Sequence, residues 1–167
     1  MWLRKKKRPK PEPTDAAGAL RTRALTFSAD TLGVALPAPP PHVWGAIMEI
    51  GFPGAAATLV CLADGSTSLY FSSGGAMIGA GERPAVRAAA AEFLRAAELA
   101  LSAFAPSSVS PLPPPGRVQF YLRTSDGLMA QGADEQELGR GGGPLAPLFQ
   151  AGHAVIARMR EIHEEQA

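Results

Sequence analysis

Short apolar or alternating segments bounded by turn residues predict a set of β-strands in this chain. The first, residues 43–50, is apolar on both alternating faces except at Glu49, as is typical of a strand that is covered on both sides. Asp64-Gly65 lies between two further segments and predicts a hairpin, because glycine adopts a positive φ at little cost. The predicted strands are residues 43–50, 56–63, 66–73, 117–124 and 128–131.

Two longer segments carry apolar residues at helical spacing. The first runs from Pro84 to Phe104, and proline suits a first helical turn because its missing N–H would be unpaired there. The second runs from about Pro144 to Ile162. In the order β-β-β-α-β-β-α, these elements predict an α+β fold, with a mostly antiparallel sheet of about five strands and two long helices packed on it.

The pattern also predicts three regions along the chain. Residues 1–19 are basic and then rich in proline and alanine, which predicts a disordered or at most locally helical tail. Residues 20–42 form a proline-rich, partly structured lead-in, and residues 43–163 form a single α+β domain. Its two halves share the order strand, Asp-Gly turn, strand and proline-started helix, which could reflect a duplication or the recurrence of a common motif.

Charge is unevenly distributed over the 167 residues. The chain has 16 Lys+Arg and 15 Asp+Glu, but all four lysines lie within the first ten residues, so residues 14–167 carry a net charge of −4. An acidic body lacks the positive surface of a nucleic-acid-binding domain, and we expect no specific nucleic-acid partner. Frequent arginine and alanine indicate a GC-rich bacterial genome.

The single cysteine, Cys61, excludes an intramolecular disulfide and lies in an apolar run where a buried thiol is expected. The chain has no run of about 18 apolar residues, and its basic start is followed by prolines rather than by the apolar region of a signal peptide. We therefore expect a cytoplasmic protein.

The first eight residues combine apolar anchors with a run of cations. A cation close to an anionic lipid surface contributes about 1 kcal/mol to binding, so this segment predicts weak contact with an anionic membrane. The alternative is a solubilising tail with no dedicated role. The residues concerned are Trp2, Leu3, Arg4, Lys5, Lys6, Lys7 and Arg8.

A glycine-rich segment, residues 74–81, follows a predicted strand and precedes a predicted helix, where a phosphate-binding loop would lie. It matches neither the P-loop nor the dinucleotide-binding fingerprint. If it binds a ligand, the candidate groups are Gly79, Gly81, Arg83 and Glu49. The alternative is a turn or a short extra strand that lets Met77 and Ile78 pack.

Glu49 is the one charge in an apolar strand, and it has two interpretations. If it is buried, it needs a cationic partner such as Arg117 or Arg123. Otherwise it lies at a strand end or a sheet edge in water.

The three histidines, His42, His153 and His163, have no metal-binding spacing, and His153 is expected to pack at the edge of a helical stripe rather than act as a base. We therefore expect no catalytic residue, no metal site and no cofactor.

The strand over residues 117–124 shows the clearest alternation in the chain. Val118, Phe120 and Leu122 are predicted to face the core. Tyr121 and Arg123 are predicted to face solvent or a partner, which makes them candidates for an interaction surface.

Several segments, taken in order, resemble a group of small bacterial proteins of unassigned activity over most of residues 20–162. They are residues 43–45, 58–60 and 64–71, the glycine-rich loop with its proline-started helix, and residues 117–122. The element order is also similar to that of Roadblock/profilin-like modules, which implies protein–protein contacts and dimerisation. It differs from Roadblock proteins in lacking an obvious helix before the first strand, and a similarity of order carries over no site residue.

These observations favour a non-enzymatic interaction module that binds a protein partner or forms a homodimer. Short apolar strands that need partners, and the lack of a catalytic constellation, support this hypothesis. The alternative is a small-molecule-binding or enzymatic domain that uses the loop over residues 74–81.

Overall fold

The protein is built around one antiparallel β-sheet, which we describe from a computed structural model covering residues 13–33, 35–36 and 42–166. Its long strands agree with the alternating segments of the sequence, and its two shortest strands lie at the edges. The strands are β1 (Val43–Phe52), β2 (Ala55–Leu62), β3 (Thr67–Phe71), β4 (Ala76–Met77), β5 (Ala105–Pro106), β6 (Arg117–Thr124) and β7 (Gly127–Asp134). They are hydrogen-bonded in the order β4-β3-β2-β1-β6-β7-β5.

Four α-helices accompany the sheet in the described part of the chain. They are α1 (Pro13–Thr26), α2 (Pro84–Ala100), α3 (Glu135–Gly139) and α4 (Ala146–Glu165). The predicted α+β class is therefore confirmed, but the prediction of about five strands is wrong, because the sheet has seven. The two additional strands, β4 and β5, have two residues each, and so short a segment shows no period in the sequence.

Helices α2 and α4 cover one face of the sheet, which we call the helix face. The core there includes Met48 of β1 together with Val118, Phe120 and Leu122 of β6, as the alternation predicted. Helix α4 lies close to β1 at Gly152, which has no side chain. A Cβ at this position would lie only 2.7 Å from Cε of Met48. Cys61 is also buried as predicted, and burial raises the pKa of its thiol to about 12.

Helix α1 covers the opposite face, which we call the α1 face. Leu20, Ala24 and Leu25 pack there against side chains that include Ile47 and Val60. This helix crosses the boundary that we placed between residues 19 and 20; the division into tail, lead-in and domain stays a prediction. The apolar residues of α1 are mainly alanines, so its apolar stripe is weak in the sequence and becomes evident only when the helix meets the sheet.

The segment between β5 and β6 also lies on the α1 face. A Cβ at Gly51 would lie 2.0 Å from the carbonyl oxygen of Pro114, so the proline-rich backbone rests directly on β1. Ser110, in the same segment, donates its backbone N–H to the hydroxyl of Tyr121 over 3.0 Å. The α1 face is thus covered by two segments that flank the central strands in sequence.

We expect Gly51→Ala to lower the free energy of unfolding by about 1–3 kcal/mol, because the added methyl group would collide with a backbone carbonyl rather than with a flexible side chain. Chemical denaturation should show this loss against the control Gly139→Ala. A Cβ at Gly139 meets nothing within 4 Å. Equal stability of the two variants would show that the proline-rich segment does not rest on β1.

Candidate functional site

A row of polar side chains crosses the α1 face from strand to strand. Tyr70 is paired with Thr58, Thr58 with Glu49, and Glu49 with Gln119. Glu49 is fully buried. Its carboxylate accepts hydrogen bonds from Nε of Arg21 at 2.6 Å, from Nη2 of Arg21 at 2.8 Å and from the hydroxyl of Thr58 at 3.0 Å.

Arg21 of α1 is therefore the cationic partner of Glu49, and the prediction of Arg117 or Arg123 is wrong. The prediction considered arginines of the neighbouring strand, whereas α1 brings its guanidinium in from above the sheet. Hydrogen bonding to Glu49 raises the pKa of Arg21, against the opposing effect of burial. This bidentate contact offsets part of the free-energy cost of burying the carboxylate.

Tyr70 lies at the end of this row. Burial raises the pKa of its hydroxyl, and the negative charge of Glu49 adds to that effect. The hydroxyl is buried and has no hydrogen-bond partner among the described residues. A cavity of about 280 Å³ lies beside it, between α1 and strands β2 and β3, but the buried hydroxyl is not open to a ligand in that cavity.

The predicted interaction surface at Tyr121 and Arg123 is covered by the chain itself, so this prediction is wrong. Tyr121 is fully buried. Arg123 donates from Nη1 to the carbonyl of Ala24 at 2.9 Å and from Nη2 to that of Phe27. Its guanidinium also stacks over Trp44, 4.4 Å from the ring centroid. Arg123 thus holds the C-terminal end of α1, where a cation is favourable.

The four predicted ligand groups do not come together. Glu49 lies on the α1 face, whereas the loop over residues 74–81 runs along the edge of the sheet. A Cβ at Gly81 would lie 1.8 Å from the carbonyl oxygen of Gly65, so this part of the loop is packed against the hairpin turn. The backbone N–H of Arg83 donates to the carbonyl of Ala80, within a 3₁₀ turn that also includes Gly81. This backbone N–H is therefore not free to bind a phosphate.

A shallow cavity of about 270 Å³ nevertheless lies between this loop and the hairpin turn. It is lined by Gly79, Gly81 and Arg87, and not by Arg83. Arg87, which sequence reasoning missed, donates from Nη2 to the backbone carbonyl of Asp64 at 2.9 Å. Its role there is to join helix α2 to the turn.

A largely apolar site lies on the helix face. It is a groove of about 440 Å³ between α4 and strands β1–β4, which we call the α4 groove. Phe52 and Phe71 line it and remain 42% and 38% exposed, although they are large apolar side chains. The full lining is Ile50, Phe52, Ala57, Leu69, Phe71, Gly75, Ala76, Met77, His153, Ile156, Arg160 and His163.

Helix α4 supplies the basic wall of this groove. His153, Ile156, Arg160 and His163 recur at intervals of three and four residues, so they lie on one side of the helix. Sequence reasoning missed Arg160, although this spacing was readable. Among the described residues no Asp or Glu lines the groove, so this lining carries no negative side chain.

His153 packs at the edge of the helical stripe, as predicted. Its ring meets Phe149 edge-on, with the centroids 4.4 Å apart. Partial burial lowers the pKa of His153; the negative charge of Glu135 opposes this shift and the positive charge of Arg160 adds to it. Arg160 supplies a fixed positive charge to the groove, because a guanidinium stays protonated near pH 7.

A further cavity of about 370 Å³ lies between β7, α3 and the start of α4, and it differs from the α4 groove in its chemistry. It brings Arg117 together with Asp134 and Glu137, so positive and negative charges face the same space. Asp134 already accepts the backbone N–H of Glu137 as the N-cap of α3. Asp134 therefore has a structural role in this cavity. The exposed phenylalanines of the α4 groove have no comparable role among the described residues.

The predictions on membrane contact and on metal binding can be compared with the structure only over the described residues. The predicted membrane-binding residues, Trp2 to Arg8, lie outside the described residues. No described helix is both long and apolar enough to span a bilayer. Over residues 13–33, 35–36 and 42–166, no three potential metal ligands come together in one group.

Helix α1 precedes β1 in the chain. No protein-family model, curated protein or solved structure matches the chain. The resemblance to Roadblock/profilin-like modules therefore stays a prediction.

We expect Arg21→Ala to lower the free energy of unfolding by about 3–5 kcal/mol, because it leaves the Glu49 carboxylate buried without a cation. The double variant Arg21→Met/Glu49→Leu should lose less than Arg21→Ala, since it removes both charges and keeps apolar volume. Urea denaturation of the three proteins measures the difference. A single variant that is no less stable than the double variant would contradict this role of the pair.

We expect His153 to titrate below 6.5 in an NMR pH titration, because partial desolvation of its ring beside Phe149 disfavours the imidazolium form. Phe149→Ala should raise the pKa by exposing the ring, and Arg160→Gln should raise it by removing a nearby positive charge. Arg158→Gln is the matched control, because Arg158 pairs with Glu161 on an exposed side of α4.

The lowered pKa of His153 also determines how the stability of the protein changes with pH. Because the pKa is lower in the folded protein, protonation of His153 favours the unfolded chain. The stability that neutral His153 contributes is complete above pH 6.5 and is lost on acidification below that value. A pKa at or above 6.5 in the folded protein would contradict the expected burial.

Proposed function

We propose that this protein is a non-enzymatic interaction module that binds a segment of a protein partner in the α4 groove. The observation that carries the proposal is the composition of that groove, which joins an apolar floor, two half-exposed phenylalanines and a basic wall. Exposed aromatic side chains in a concave site are typical of the residues that dominate binding energy at interfaces.

The charges of the groove indicate the chemistry of the partner segment. Arg160 supplies a permanent positive charge, and His153 and His163 lie on the same wall without a carboxylate in the lining. Electrostatic complementarity therefore favours a segment that carries apolar side chains for the floor and an acidic side chain for the wall.

The lining favours binding over catalysis. Within the part of the chain that the structure describes, no Ser, Thr, Cys, Asp or Glu accompanies the histidines in the lining, so a histidine acting as a general base would have neither a nucleophile to activate nor an acid to orient it. Apolar side chains contribute binding energy through burial, at about 25 cal/mol per Å² of surface removed from water.

Selection from a displayed library of random peptides, with the full chain as bait, tests this function. We expect the selected peptides to be enriched in Leu or Phe together with Asp or Glu. An absence of selected peptides, or an enrichment in basic residues, would contradict the proposal. Competition by dodecanoate and self-association measured by light scattering would instead support a small amphipathic acid or a second copy of the chain as the occupant.

Groove variants should weaken peptide binding without unfolding the protein. We expect Phe71→Ser and Arg160→Glu each to raise the peptide Kd by about tenfold or more, because each removes a contact that the free groove leaves exposed. Leu99→Ser and Arg158→Glu are the matched controls, since Leu99 is 81% exposed and neither residue lines the groove. Unchanged affinity in both groove variants would show that the peptide binds elsewhere.

A further inference from the structure

We propose that the partner segment binds the α4 groove in an extended conformation and pairs with β4 as an additional strand of the sheet. This inference rests on the proposed function and names how the partner is held. The occupant is an extended protein segment whose apolar and acidic side chains enter the groove.

Strand β4 has a free backbone edge beside the groove. It lies at the end of the strand order, and over the described residues it pairs with β3 alone, through Leu69↔Met77 and Tyr70↔Ala76. The N–H of Phe71 donates to the carbonyl of Gly75 at 3.1 Å. In an antiparallel ladder the direction of the backbone groups alternates, so the N–H and C=O of Ala76 point away from β3.

Ala76 is accessible to a partner strand. It is exposed, and no group of the described residues outside the sheet forms a hydrogen bond with its backbone. It also lines the α4 groove together with Gly75 and Met77. A strand that pairs with Ala76 would therefore place alternate side chains over the groove, next to Met77 and Phe71.

The length of the groove suits a short strand. Its α4 wall runs from His153 to His163, which is about 15 Å of helix and equals the length of about four or five residues of a strand. The free backbone edge at Ala76 favours a strand over a helix, because only an extended segment can pair with it.

The free edge is short, and this limits what the backbone pairing contributes. Gly75 and Gly79 have φ values of +94° and +77°, so the extended edge ends at both of them. Pairing at Ala76 therefore sets the register of the partner, while side chains in the groove supply most of the affinity. The basic wall of α4 then selects a register that brings an acidic side chain close to Arg160.

Methylation of single backbone nitrogens in the tightest peptide from the library tests this binding mode. We expect a loss of about tenfold or more at the position that donates to Ala76, and tolerance at its two neighbours, because backbone groups alternate in direction along a strand. Hydrogen exchange at the amide of Ala76 should also slow when the peptide binds. A second variant, Ala76→Pro, removes that N–H from the free edge and should weaken binding.

The outcomes separate this inference from the proposed function. A peptide that needs Phe71 and Arg160 but tolerates methylation at every nitrogen, with no slowing at Ala76, would overturn the strand while leaving the interaction module intact. Side-chain dependence with a period of three to four residues would indicate a helical partner and would also overturn it. A library that yields no peptide would overturn both.

Discussion

The buried carboxylate of Glu49 is the constraint on which the arrangement of this protein depends. It lies in the central strand with no exposed surface, so a cation must reach it from another part of the chain. Arg21 meets that need and also donates from Nη2 to the carbonyl of Ser110 at 2.6 Å. One guanidinium therefore joins α1, β1 and the proline-rich segment, and it sets which segments cover the α1 face.

The two faces of the sheet are therefore covered in different ways. The α1 face is closed by apolar packing beneath α1 together with polar contacts, among them the hydrogen bonds from Arg123 to the C-terminal end of α1. The helix face is closed by apolar packing beneath α2 and α4, except where the strands β1–β4 extend beyond that cover and form the α4 groove. Binding at the groove is therefore compatible with an intact fold, because it requires no displacement of α1.

Sequence reasoning succeeded where one strand or helix carries its own periodic signal, and it failed where the signal depends on a distant contact. The inward residues of β6 and the buried thiol of Cys61 follow from local patterns. Tyr121 was predicted to be exposed because its own strand shows only that it faces away from the main core. A second layer on that side is carried by α1, whose apolar stripe is too weak to reveal a packed helix.

The sequence by itself determined the α+β class, the long strands and the faces that their alternating residues present. These properties are local, because the side-chain period is fixed by backbone geometry within a few residues. The tertiary structure alone decided that Arg21 neutralises Glu49, that Arg123 binds α1 and that Arg160 shares a groove with Phe71. Each of these contacts joins residues far apart in the chain, and a pattern that shows a residue to be buried or charged does not show which distant group it meets.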